Sequence, residues 1–174
     1  MSHIYEKVKG RLALLEKIET IIPGYRGYKE KELRRESDKI IRDYLFRVMT
    51  EAKNNFDESL ISVVEAERTE LFNTLNRIAA IIDRVAEKIH HASYGYSGFF
   101  DAIKIRENEL DSLIKFDYTL IENVNMLLQK CKELKTLADG RDFEAYKKKL
   151  DEIKIMLDEL SAAILSRENL IRGV

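Results

Sequence analysis

DFEAYKKKLDEIKIMLDELSAAILSRENLI, residues 142–171, decides the fold class. Phe143, Tyr146, Leu150, Ile153, Leu157, Leu160 and Ile164 recur in alternating steps of three and four, a heptad pattern held for about three repeats. A period near 3.5 puts them all on one helix face, whereas a half-buried strand would alternate in steps of two. The same spacing predicts left-handed packing at shallow crossing angles.

Working outward, Asp139-Gly140 closes a preceding helix expected over about 100–138, whose apolar face includes Val124, Leu127, Leu128, Cys131 and Leu134. A third helix, about 69–92, carries Leu71, Leu75, Ile78, Ile82, Val85 and Ile89 and ends in the glycines at 95 and 98. The first helix, about 2–22, has Tyr5, Val8, Leu12, Leu15, Ile18 and Ile22 in phase and stops at Pro23-Gly24. The second begins near Lys29 and runs to about 65, with Leu33, Ile40, Ile41, Tyr44, Leu45, Val48, Ala52, Phe56, Leu60 and Val63 in its stripe. Asn54–Asp57 looks like a break, and Asn55 with Glu58 has the form of a capping box, yet Phe56 stays in phase. The stripe lapses over 65–70 instead, so the reversal is placed there with Thr69 as N-cap. The rival is one continuous helix from 29 to 91, ~95 Å long at 1.5 Å per residue. The expectation is an all-α, antiparallel bundle of about five long helices with coiled-coil-like packing, forming one domain over residues 1–174.

Composition agrees with that class. The chain has 174 residues, 45% hydrophobic and 35% charged, with 7 Gly and a single Pro. Such a mixture suits helical bundles, and a chain of this length buries roughly two-thirds of its unfolded surface. A net charge of -1 argues against a nucleic-acid partner, which draws on a basic excess. A single cysteine, Cys131, excludes an internal disulfide and fits a reducing compartment. No apolar run reaches the ~18 residues of a membrane span, and MSHIYEKVK lacks a signal-peptide core. A soluble, cytoplasmic protein is expected.

The chemistry-bearing residues form no catalytic constellation. Glu87 and His90 have the Glu-x-x-His spacing of bundle di-metal sites, but neither His3 nor His91 supplies the second copy. No metal and no cofactor are expected. Cys131 falls on an apolar helix face, where a thiol packs as a small hydrophobe. Gly24–Lys29 joins two glycines to Arg26 and Lys29 before a helix start, which permits anion binding without the P-loop spacing. The cations of 26–35 alternate with Glu30, Glu32 and Glu36, which weakens a nucleic-acid reading.

Two loops stand out. Residues 23–28 and 94–100 share a rhythm of glycine and aromatic residues. Tyr25, Arg26, Tyr28, Lys29, Arg35, Tyr94, Tyr96, Phe99, Phe100 and Asp101 are the candidate binding residues. Either the aromatics plug one end of the core, or they form a docking surface of the composition that dominates interface hot spots. A reversal near 65–70 brings both loops to one end of the bundle, as one aromatic cluster.

PGYRGYKEKELRRE (23–36) and YGYSGFFDAIK (94–104) resemble two signature stretches of a family of uncharacterised helical proteins in bacteria and archaea. The resemblance implies a helical fold and carries no activity, ligand or site residue. The expected function is therefore a non-enzymatic structural or protein-interaction module, with a protein partner or a second copy. Phe46 and Met49 widen the apolar surface of the second helix beyond one stripe, which points to a homodimer. The alternative is a small-ligand or anion-binding module built from 23–35 and 94–104.

Overall fold

The structure, a computed structural model, describes residues 2–30, 33–92 and 107–172, with side chains for all of these except 2–5, 7, 107, 108 and 172. Five α-helices and no strand occur among the described residues: α1 (Ser2–Ile21), α2 (Arg34–Glu65), α3 (Phe72–His91), α4 (Glu107–Asp139) and α5 (Phe143–Arg172). Helices α2, α3, α5 and α4 close into a ring in that order, and α1 packs outside it, chiefly on α4.

The stripes read from the sequence make this core. All seven heptad residues of α5 are buried, as are the six of the third helix from Leu71 to Ile89. Cross-helix contacts give the directions. Tyr44 bonds Asn125, Lys132 pairs with Glu51, and Ser62 bonds Asp139. Residue numbers rise together, so α2 and α4 run parallel. The guanidinium of Arg68 lies over the Phe143 ring at one end, and Ile89 and Ile164 share a small cavity towards the other, so α3 and α5 run parallel too. In chain order α2 to α5 alternate up and down, and because α3 and α4 stand at diagonal corners, the ring has two parallel neighbour pairs, α2 with α4 and α3 with α5. Met49 is wholly buried and the half-buried Phe46 ring stacks on His90 of α3, so these two side chains pack within the chain, while Ile61 and Val64 of α2 remain exposed.

The chain reverses at Ala66–Arg68. Arg68 N–H donates to Val63 and Glu67 N–H to Val64, with Glu67 in the left-handed region at φ 57°, a Schellman arrangement. Asn54–Asp57 stays helical, because Phe56 is wholly buried and holds the helix in phase. Thr69 does not cap the next helix. It opens a short 3₁₀ turn, Thr69–Leu71, without a side-chain cap bond. The end of α4 repeats the Schellman geometry with Arg141 (φ 58°), not Gly140, in the left-handed position.

Two expectations about α1 and α2 need correction. α2 starts at Arg34, later than the expected Lys29, because residues 25–28 are non-helical and turn tyrosines inward. Among the described side chains of the α1 stripe, Ile18 and Ile22 are buried, while Val8 and Leu12 remain 38% and 51% exposed. Pairing of Arg11 with Asp111, and Lys17 over the Tyr118 ring, make α1 parallel to α4. The chain leaving α1 must therefore run back along α4 before α2 begins in the same direction, which calls for an extended return over 22–30.

Candidate functional site

That return segment carries the most unusual chemistry of the molecule. Gly24 (φ 93°) and Gly27 (φ 72°) take backbone conformations open to glycine, and between them they aim Tyr25 and Tyr28 into the bundle. The Ser37 hydroxyl donates to the Gly27 carbonyl (2.7 Å) and Arg34 Nε to the Tyr28 carbonyl (2.8 Å), so the first turns of α2 hold the segment down. A Cβ on Gly27 would lie 2.7 Å from Leu15 Cδ2, which shows how closely this backbone crosses α1.

Inside, both tyrosines donate their hydroxyls to one oxygen of Asp117 on α4, Tyr25 at 3.1 Å, with the two rings edge to face. The other oxygen accepts Arg167 Nε from α5 at 2.7 Å. A terminal nitrogen of Arg167 also donates to the Tyr28 hydroxyl (3.0 Å) and to Asp38 of α2 (2.9 Å). Arg42 Nε completes Asp38 at 2.8 Å. Two carboxylates thus meet two guanidiniums, and the charges cancel. Asp117 is 0% and Arg167 4% exposed. Buried ions are tolerated only when paired and hydrogen-bonded on all sides, and this cluster joins three helices and the return segment in that way.

Electrostatics follows burial. Desolvation pushes the Asp117 carboxyl above its ordinary range, against the pull of Arg167 and of the Tyr28 hydroxyl. Burial first, and then the neighbouring carboxylate, keep both phenols protonated far above the usual tyrosine range. Arg167 stays charged, its partners Asp117, Tyr28 and Asp38 outweighing desolvation. The phenols serve as fixed donors to Asp117.

The candidate residues from the sequence therefore divide. Tyr25 and Tyr28 belong to the core. Arg26 and Lys29, from the same segment, face outward beside a cleft of about 370 Å³ between α1, the segment and α4. Arg11 is the third cation of its wall. Arg35 is exposed on the first turn of α2, outside this cleft. Tyr94, Tyr96, Phe99, Phe100 and Asp101 lie outside the described residues. Ala92, the last described residue before them, shares a small cavity with Arg42 and Arg167, at the end of the bundle that holds the buried cluster.

Asp117, Arg167 and Asp38 were not among the candidates read from the sequence, although a signal exists. Leu113, Asp117, Leu120 and Val124 step by four, three and four, and Ile164, Arg167 and Ile171 by three and four. A charged residue in phase with an apolar stripe must be buried and paired, or the helix must turn it out. Glu87 pairs with His91 (2.8 Å), and His90 stacks on Phe46. Among the described residues, no group of three His, Cys, Asp or Glu is placed to hold a metal, and no helix is long and apolar enough to cross a membrane. Compared with models of known protein families, with curated proteins and with solved structures, the chain finds no match in any of the three.

Proposed function

We propose that this chain is a non-enzymatic interaction module, a helical frame that presents the uncovered flank of α1 to a protein partner or to a second copy of itself. One observation carries the reading. Val8 and Leu12 stand in the apolar stripe of α1 yet are 38% and 51% exposed, because α1 has α4 as its main neighbour. Covering each recovers about 1 kcal/mol of the burial that the other stripes obtain within the bundle. The buried charges of Asp38, Asp117 and Arg167 are engaged with one another and with Arg42, which suits a framework more than a reacting centre. A single, wholly buried thiol fits a cytoplasmic setting.

A photo-crosslinking residue placed at Leu12 in the native cell tests this, with the exposed Lys154 of α5 as control. The reading predicts discrete adducts, to a partner or to the chain itself, from position 12 and none from 154. Equal adduct patterns at both positions, or none at either, contradict it.

A ligand-binding module is the second reading, and the cleft favours it. Arg26 and Lys29 stand on its wall, and neither side chain has an ion-pair partner among the described residues. Thermal stabilisation by sulfate or phosphate that disappears in Arg26→Ala supports this reading.

A further inference from the structure

We infer that the cleft between α1, the 22–30 segment and α4 binds a single-chain anionic amphiphile, its headgroup at Arg26 and Lys29 and its hydrocarbon chain along α1 and α4. The inference rests on the ligand-module reading above and names its ligand class. The cleft encloses about 370 Å³, and sites for small ligands span roughly 300–1,000 Å³. Leu12, Leu15, Leu110 and Ile114 form its aliphatic surface. Among the described residues its charged lining is cationic, made of Arg11, Arg26 and Lys29. Arg11 is already engaged with Asp111, which leaves Arg26 and Lys29 to take an anion.

These features select against simpler ligands. A bare inorganic anion would satisfy the cations and leave the leucines wet. A neutral hydrocarbon would cover the leucines and leave two cations beside it without a counter-charge. A nucleic-acid strand needs aromatic platforms for its bases, and the tyrosines of this segment are turned into the core. A carboxylate or phosphate monoester on a hydrocarbon chain meets both requirements at once, through charge-assisted hydrogen bonds at one end and apolar burial at the other.

Isothermal titration of the purified chain with decanoate, decyl phosphate, decanol and sulfate tests the inference, each amphiphile kept below its micellar range. A fatty carboxylate and a lipid phosphate share this chemistry, and the first two probes tell them apart. Saturable binding of one equivalent is expected for at least one of the two, at least about tenfold tighter than for decanol or sulfate. Arg26→Ala/Lys29→Ala and Leu12→Asp each weaken that binding by about tenfold or more. These positions are exposed or nearly so, and unchanged melting by circular dichroism confirms that the variants fold. Lengthening the chain tightens binding by up to about fourfold per methylene. Sulfate binding as tightly as decanoate, and lost in Arg26→Ala, leaves the anion module standing and overturns the amphiphile. Amphiphile binding indifferent to these substitutions overturns the site. No binding of any probe overturns both the inference and the ligand-module reading.

Discussion

Replacing Arg167 with Met removes the cation that joins Asp117, Tyr28 and Asp38, while keeping most of the side chain's volume. The wild-type cluster is neutral, with Asp117 and Asp38 against Arg167 and Arg42. In Arg167→Met one buried negative charge is uncompensated, and removing one partner of a buried pair costs about 3–5 kcal/mol. For a chain of this size that lowers Tm by roughly 6–20 °C. The charge argument also predicts a rescue. Asp117→Asn alone leaves Arg167 short of an acceptor and is destabilising, but in the Arg167→Met background it restores neutrality. The double variant is therefore no less stable than Arg167→Met, with a coupling energy of about 2 kcal/mol or more between the two sites. Urea unfolding followed by far-UV circular dichroism measures all four proteins. Losses that add to within about 0.5 kcal/mol, the behaviour of independent sites, refute the claim that these residues act as one cluster.

Other consequences follow from the same structure. Gly27→Ala places a side chain at φ 72° with its Cβ against Leu15, and stability falls by about 1–2 kcal/mol, read as a lower urea midpoint. Glu67→Gly and Arg141→Gly relieve left-handed strain at the two helix ends, and each raises stability by about 0.5–1 kcal/mol in the same assay. Burial pushes the Cys131 thiol and the Tyr146 phenol up to about 12, above their unfolded values. Both groups stabilise the fold below their unfolded pKa and lose that contribution as pH rises, so unfolding free energy declines between pH 9 and 12 by up to about 1.4 kcal/mol per pH unit per group.

Periodicity made most of the fold legible. The stripes of α3 and α5 are buried residue for residue, and the lapse after Val64 coincides with the turn. The start of α2 was hidden because Lys29–Glu36 has helical composition, while the segment's conformation is decided by the Asp117 carboxylate, some ninety residues away in sequence. Tyr25 and Tyr28 read equally well as surface or core, since a tyrosine can serve either until its hydroxyl partner is known. The partners gave only a faint trace, charged residues in phase with apolar ones at 117 and 167. The cleft had no trace of its own. It arises because α1 runs parallel to α4 and the chain must return beside it, a matter of topology that local pattern does not encode.

The central claim is that the 22–30 segment is anchored from within by the Asp117–Arg167 cluster, leaving its cations outside. Solvent exchange of arginine Nε–H groups, followed by side-chain ¹⁵N NMR as pH is raised, tests both halves in one spectrum. Arg167 Nε–H, buried and donated to Asp117, is predicted to persist after the exposed Arg26 signal has broadened away, and to lose that protection in Asp117→Asn. Arg167 exchanging at the rate of Arg26 in the wild-type protein contradicts the account.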